Sequence, residues 1–124
     1  MTLNEIMKLL YFKKETYFLD MFGKIKCNQT TLYNDRNNCS SSFHIEKWLS
    51  INDLLNVAYF FNDGWTPNWN NDEEQKYILV IKNNDIAIQQ TDFPASFVYF
   101  PFEYTAQKVI NIVGVNKLAQ ILKD

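Results

Sequence analysis

Residues 76–90 read KYILVIKNNDIAIQQ and contain the pattern of a β-hairpin. Residues 77–81 are aromatic or aliphatic without interruption, which favours a strand buried on both faces. Asn83, Asn84 and Asp85 tolerate a positive φ, which predicts a tight turn. In residues 86–90, IAIQQ, the large apolar Ile86 and Ile88 alternate with the small Ala87, as in a returning strand. The stretch therefore predicts two antiparallel strands joined by a short turn.

Helical patterns precede and follow this hairpin in the sequence. Ser50 is a typical N-cap with Asp53 three positions later, and the apolar residues after it predict a helix that ends at Gly64. Residues 96–100, SFVYF, predict a third strand. Pro101 suits the first turn of the next helix, which a short closing helix follows. The predicted fold is α+β, with a small three-stranded antiparallel sheet packed against two to four helices.

The N-terminal part of the chain predicts a helix and a polar loop. Apolar residues near the start lie on one helical stripe, and Thr2 with Glu5 matches a capping box. For residues 17–22 the periodicity leaves two alternatives open, a continued helix, which is favoured, or a pair of strands around Gly23. Residues 28–42 are polar and turn-rich, which predicts a loop.

Length and composition indicate one domain. A chain of 124 residues, 47% of them hydrophobic, can bury a core without disulfides or metals. We expect a single domain over 1–124, in which 1–50 form the N-terminal helix and polar loop and 51–124 form the remainder. We expect neither a signal peptide nor a membrane span, and hence a cytoplasmic location, where Cys27 and Cys39 stay reduced.

Several kinds of chemistry are disfavoured by the residues present. The net charge of −2 argues against a nucleic-acid binder with a wholly basic surface, and three isolated glycines exclude a phosphate-binding loop. His44 is the only histidine, and its spacing from Cys27 and Cys39 matches neither a catalytic pair nor a zinc site. The acidic run 72–74 is typical of a solvated turn. We therefore expect no enzymatic activity, no cofactor and no bound metal.

Two tryptophans lie in one loop, DGWTPNWNN at residues 63–71. An indole ring in a surface loop exposes a large apolar area unless it is buried. Trp65 and Trp69 therefore either anchor the loop on the sheet, which is favoured, or contact a partner.

Lysines and aromatic residues alternate near the N-terminus, between residues 8 and 17. This pattern can stack on the bases and neutralise the phosphates of single-stranded RNA. An amphipathic helix with lysines along its polar edge explains the same pattern and is the favoured interpretation.

Residues 51–122 resemble a family of small phage and prophage domains of Bacteroidetes. The resemblance is carried by a Gly-Trp-x-Pro-Asx-Trp loop at 64–69, by Lys76 and Tyr77 after it, and by the later stretches FVYF and AQKVINIVG. It implies a mobile-element origin and no catalytic residues. The residues Pro101 and Phe102 depart from the family, which has a polar helix cap there, and 1–50 have no counterpart.

Phage origin and the lack of a catalytic set lead to a functional prediction. We expect a non-enzymatic binding protein, similar to anti-CRISPR proteins, that inhibits a host defence nuclease such as a type VI-B RNA-guided RNA nuclease. Its partner would be that nuclease with its guide RNA, with no membrane or small-molecule substrate involved. The alternatives are an assembly module of a phage or mobile element and a single-stranded RNA-binding regulator. The residues expected to contact the partner are Lys13, Lys14, Tyr17, Lys24, Lys26, Trp65 and Trp69.

Overall fold

The computed structural model describes residues 1–13, 16–28 and 38–123, and shows an α+β fold as predicted. Its elements are α1 (Leu3–Lys13), β1 (Thr16–Leu19), β2 (Ile25–Asn28), β3 (Asn38–Cys39), α2 (Ser42–Asn62), β4 (Tyr77–Lys82), β5 (Asp85–Gln90), α3 (Glu103–Val113) and α4 (Val115–Leu122). The chain divides into two compact units, Met1–Leu49 and Ser50–Asp124. The expected single domain stays a prediction. None of the helices in the described ranges is long and apolar enough to cross a membrane.

In the first unit, α1 begins with the predicted capping box. The N–H of Thr2 donates to Glu5 Oε2 and the N–H of Glu5 donates to Thr2 Oγ1, both at 3.2 Å. The favoured continuation of this helix through residues 17–22 is wrong. Instead β1 and β2 form an antiparallel hairpin, and the short β3 pairs with the other edge of β1. A helix is incompatible with the turn because Gly23 has a φ of 75°, which glycine adopts without strain.

Helix α2 begins at Ser42 and its cap is Ser41, nine residues before the predicted cap at Ser50. Ser41 provides the cap, since its Oγ accepts a hydrogen bond from the N–H of His44 at 3.1 Å. The Ser50 hydroxyl donates instead to Gln120 Oε1 in α4, at 3.2 Å. Of the predicted loop over 28–42, Asn28 belongs to β2, Asn38–Cys39 form β3 and Ser42 starts α2, while residues 29–37 lie outside the described part of the chain.

In the second unit, β4 and β5 form the predicted hairpin. Their register runs from Tyr77 opposite Gln90 to Lys82 opposite Asp85. Asn83 and Asn84 have φ values of 54° and 63°, the left-handed conformation that a two-residue hairpin turn requires.

The predicted third strand at residues 96–100 is wrong, and the β4–β5 sheet has two strands instead of the expected three. Within the segment 96–100, only Phe100 pairs with β4, exchanging two backbone hydrogen bonds of 2.9 Å with Tyr77. The segment turns on itself, since the Tyr99 hydroxyl bonds to both the N–H and the carbonyl of Ser96. Pro101 also ends pairing, because proline has no N–H to donate.

The core of this unit joins the three helical segments to β4 and to the segment that ends at Phe100. Phe100 is fully buried at its centre. The buried residues of this cluster are Leu54, Ala58, Tyr77, Leu79, Val98, Phe100, Ala106, Val109, Ile110, Leu118 and Ile121. Phe100 is held on β4 by its backbone bridge and in the core by its buried side chain. Because this position is fixed, the start of α3 shortly afterwards is fixed as well.

We expect Phe100→Ala to lower the free energy of unfolding by about 3–5 kcal/mol, because it leaves a cavity at the centre of this core. Phe93→Ala is the matched control, since Phe93 is 65% exposed and its loss should change stability by less than about 0.5 kcal/mol. Chemical denaturation followed by circular dichroism measures both. Equal losses in the two variants would contradict the central position of Phe100.

Candidate functional site

The tryptophan loop is organised around the buried ammonium group of Lys76. Lys76 is 3% exposed, and its Nζ donates to the carbonyl oxygens of Asn71 and Glu74, both at 3.2 Å. It also lies 3.4 Å from Glu74 Oε1. The same Glu74 oxygen accepts the N–H of Asn68 at 2.8 Å. A buried cation is tolerated only with such partners, so the loop backbone folds around Lys76.

Trp69 contacts two neighbouring side chains, those of Lys76 and Tyr99. The ammonium of Lys76 lies 5.1 Å from the centre of its ring, a cation–π contact. The ring also packs edge-on against Tyr99, with centroids 5.0 Å apart. These contacts support the interpretation that Trp69 anchors the loop, while its role in partner binding stays a prediction.

Glu74 links the loop together electrostatically. The hydrogen bond from the Asn68 N–H, and the hydrogen bond and charge of Lys76, lower the pKa of the Glu74 carboxyl. Desolvation opposes this shift without outweighing it. Glu74 is therefore an ionised acceptor at neutral pH that holds Asn68 in place.

An aromatic cleft of about 630 Å³ opens beside Trp65 in the second unit. Phe61, at the end of α2, also lines it. Phe102 and Tyr104, at the start of α3, contribute two stacked rings with centroids 5.0 Å apart and planes 9° apart. Aromatic walls of this kind are typical of binding sites.

Charged groups accompany the rings of the aromatic cleft. The Nζ of Lys108 lies 5.5 Å from the Tyr104 ring centre and 5.9 Å from the Phe61 ring centre. Asp63, Glu73 and Glu74 also line the cleft. Because Glu74 is paired with Lys76, the lining leaves two unpaired carboxylates beside one ammonium group, and favours a cationic occupant over an anionic one.

Asn62 connects this cleft to the core. Its Nδ2 donates to the carbonyl of Tyr99 at 2.8 Å, which ties the end of α2 to the segment before α3. Its Oδ1 is buried with no hydrogen-bond partner among the described residues. Asn62 therefore positions both walls of the aromatic cleft through one amide group.

Sequence reasoning did not select the residues of the aromatic cleft other than Trp65. The one available signal was Phe102, noted for replacing a polar helix cap. Phe102 is the N-cap residue of α3 and makes no side-chain capping bond. Its ring instead stacks on Tyr104 and lines the cleft, which accounts for an apolar side chain at a capping position.

The lysines predicted as contacts lie in the first unit, and two of them occur together. Lys24 and Lys26 are exposed in the turn and second strand of the β1–β2 hairpin. Tyr17 is half-buried in β1, opposite Cys27. Lys13 ends α1, but its side chain, like the whole of Lys14, lies outside the described residues.

The turn of this hairpin forms a hairpin tip, defined here as residues 20–26. Asp20 fixes it, since one carboxylate oxygen accepts the N–H groups of Phe22 and Lys24 at 2.9 Å each. The Lys24 bond, helped by the Phe22 bond and the nearby lysine charges, lowers the pKa of the Asp20 carboxyl, and the opposing desolvation does not outweigh these effects. Met21 and Phe22 are 89% and 79% exposed. The tip therefore presents two apolar side chains beside two lysines.

The cysteines and the histidine are not arranged as a reactive group. Cys27 and Cys39 face Tyr17 from opposite edges of β1, so their Cα atoms are about 10 Å apart, beyond disulfide reach. Burial raises the pKa of the Cys39 thiol, which disfavours a nucleophilic thiolate. His44 Nδ1 lies 3.5 Å from the Ser40 hydroxyl on an exposed helix start. Within the described ranges, no three metal-binding side chains form a group.

Comparisons with protein-family models, with curated proteins and with solved structures found no match to this chain. The resemblance of residues 51–122 to a phage domain family therefore stays a prediction.

We expect Lys76→Met to lower the free energy of unfolding by about 2–4 kcal/mol, because it leaves two carbonyls and a carboxylate without their buried donor. Lys82→Met, at the exposed end of the same strand, should change stability by less than about 0.5 kcal/mol. Urea denaturation with tryptophan fluorescence measures both. If the Lys76 variant keeps wild-type stability and emission, the ammonium does not organise the loop.

The lowered pKa of Glu74 predicts a pH-dependent contribution to stability. This contribution is complete above the ordinary pKa of a glutamate and is lost as the pH falls through the lower pKa in the folded protein. The stability difference between wild type and Glu74→Gln should therefore shrink between neutral pH and about pH 3. Urea denaturation at a series of pH values tests this, with the exposed Glu73→Gln as control. A difference that grows on acidification would refute it.

Proposed function

We propose that the chain is a non-enzymatic binding protein, of phage or prophage origin, that inhibits a host defence nuclease by occupying part of its surface. The observation that carries the proposal is the hairpin tip, which exposes Met21 and Phe22 beside Lys24 and Lys26. The predicted origin and target class come from the resemblance over residues 51–122.

The backbone of the hairpin tip is preorganised for binding. Besides the two bonds to its carboxylate, Asp20 donates its N–H to the carbonyl of Lys24 and accepts the N–H of Gly23 on its own carbonyl, both at 3.0 Å. Four hydrogen bonds thus hold the turn before any partner arrives. A turn that is already ordered loses little conformational entropy on binding, so more of the contact energy appears as affinity.

The side chains of the hairpin tip suit a nucleoprotein surface. Apolar side chains such as Phe22 gain affinity when a pocket on a partner removes them from water. Lys24 and Lys26 attract phosphates or carboxylates and accelerate the encounter. A nuclease with its guide RNA offers both apolar protein pockets and phosphates, which supports a type VI-B RNA-guided RNA nuclease as the target.

Replacing Lys24 and Lys26 together by glutamate should raise the concentration for half-maximal inhibition at least about tenfold, because two attractive charges become repulsive. The matched control exchanges Lys82 and Lys123, two exposed lysines of the other unit, for glutamate. The measurement is cleavage of a fluorescent RNA by a purified type VI-B nuclease with its guide, across a titration of each variant.

The outcomes of this titration separate the candidate functions. Retained inhibition by the Lys24 and Lys26 variant would move the contact away from the hairpin tip. No inhibition by the wild type would reject the nuclease target and leave the assembly module. Salt-sensitive binding of the wild type to naked single-stranded RNA, without inhibition, would instead identify an RNA-binding regulator.

A further inference from the structure

The aromatic cleft contains carboxylates that are not used by the fold. Asp63 and Glu73 are exposed, and their carboxylates have no hydrogen-bond or ion-pair partner among the described residues. Glu74, by contrast, is bound by Asn68 and Lys76. Two carboxylates of the lining therefore remain to pair with a cation from outside the chain.

The rings of the aromatic cleft provide the second element of a cation site. Phe102 and Tyr104 are 50% and 60% exposed although they are large and stacked on each other. The face of an aromatic ring is electron-rich and attracts cations, as the position of Lys108 over Tyr104 and Phe61 shows within this same cleft. Trp65, the strongest ring type for such contacts, completes the wall.

The combination of aromatic rings with unpaired carboxylates favours arginine over the other cationic side chains. A guanidinium group is planar, stacks on aromatic rings, is weakly hydrated and offers five N–H donors to carboxylates. A lysine ammonium is more strongly hydrated and cannot stack. The volume of about 630 Å³ lies within the range of ligand sites, about 300–1,000 Å³, and exceeds what one side chain needs.

We propose that the aromatic cleft binds an arginine side chain of a partner protein. The guanidinium stacks between Trp65 and the Phe102–Tyr104 pair and donates hydrogen bonds to Asp63 and Glu73. The Lys108 ammonium competes with the guanidinium, because it lies over the faces of Tyr104 and Phe61 and carries the same charge. The site lies wholly within the second unit and does not depend on nuclease inhibition by the hairpin tip.

The test is a titration with N-acetyl-arginine amide, followed through the indole N–H signal of Trp65 by NMR spectroscopy. A saturable shift with a Kd of about 1–10 mM is expected for a single side chain. N-acetyl-citrulline amide, which has the same shape without the charge, should produce no saturable shift. N-acetyl-lysine amide should bind at least about threefold more weakly, because it cannot stack. The indole signal of Trp48, outside the cleft, is the internal control.

Variants make the assignment specific. Asp63→Asn with Glu73→Gln should weaken arginine binding at least about fivefold, since both charge-assisted hydrogen bonds are lost. Asparagine tolerates the positive φ of Asp63, so the fold should be kept. Exchanging two carboxylates outside the cleft, by Glu46→Gln and Asp92→Asn, should leave affinity unchanged.

A third variant, Lys108→Gln, should strengthen arginine binding at least about twofold, because it removes the competing cation. If Lys108 had only a structural role, its replacement would not increase the affinity for arginine. The proposal is overturned if the citrulline derivative binds as well as the arginine derivative, or if the Asp63 and Glu73 variant binds as the wild type does.

Discussion

The burial of one ammonium group, that of Lys76, sets the shape of the tryptophan loop. Lys76 stands at the entry to β4, where its own carbonyl accepts the N–H of Thr91 at 2.9 Å, so its backbone position is fixed by the sheet. A buried cation without oxygen partners is costly, and the carbonyls of Asn71 and Glu74 supply them. The loop therefore has to pass around the lysine. Glu74, which pairs with Lys76, also lines the aromatic cleft, and thus the constraint at the start of the strand reaches one wall of the cleft.

The other wall depends on Phe100. Its single bridge to Tyr77 takes the place of a full third strand, and its ring is buried at the centre of the core. Pro101 directly afterwards ends pairing with β4, and Phe102 starts α3 with a ring that stacks on Tyr104. A continuous third strand through these residues would use their backbone groups for the sheet. Ending it at one bridge allows α3 to begin here, with its first aromatic side chains at the cleft.

Features that neighbouring residues determine could be predicted from the sequence, and features that depend on distant partners could not. The β4–β5 turn follows from Asn83 and Asn84 alone, which adopt the required φ. The sequence predicts the start of α2 too late because Ser41 and Ser50 both suit an N-cap locally. In the fold Ser41 caps the helix, while the Ser50 hydroxyl bonds to the distant Gln120 in α4. The aromatic cleft joins three separate stretches, and the position of Lys108 over Tyr104 is set by their packing. The apolar residue Phe102 at the N-cap of α3 is the only local sequence feature that points to the aromatic cleft.

The two tryptophans of the loop have different surroundings within the second unit. Trp69 has Lys76 over its ring and packs edge-on against Tyr99, so its contacts lie inside the unit. Trp65 donates its backbone N–H to the carbonyl of Asn62 at 3.0 Å, and the residue lines the cleft. A backbone hydrogen bond positions the residue without covering the faces of its ring. The buried lysine therefore contacts one tryptophan directly, while the other lines the cleft that we propose as a cation site.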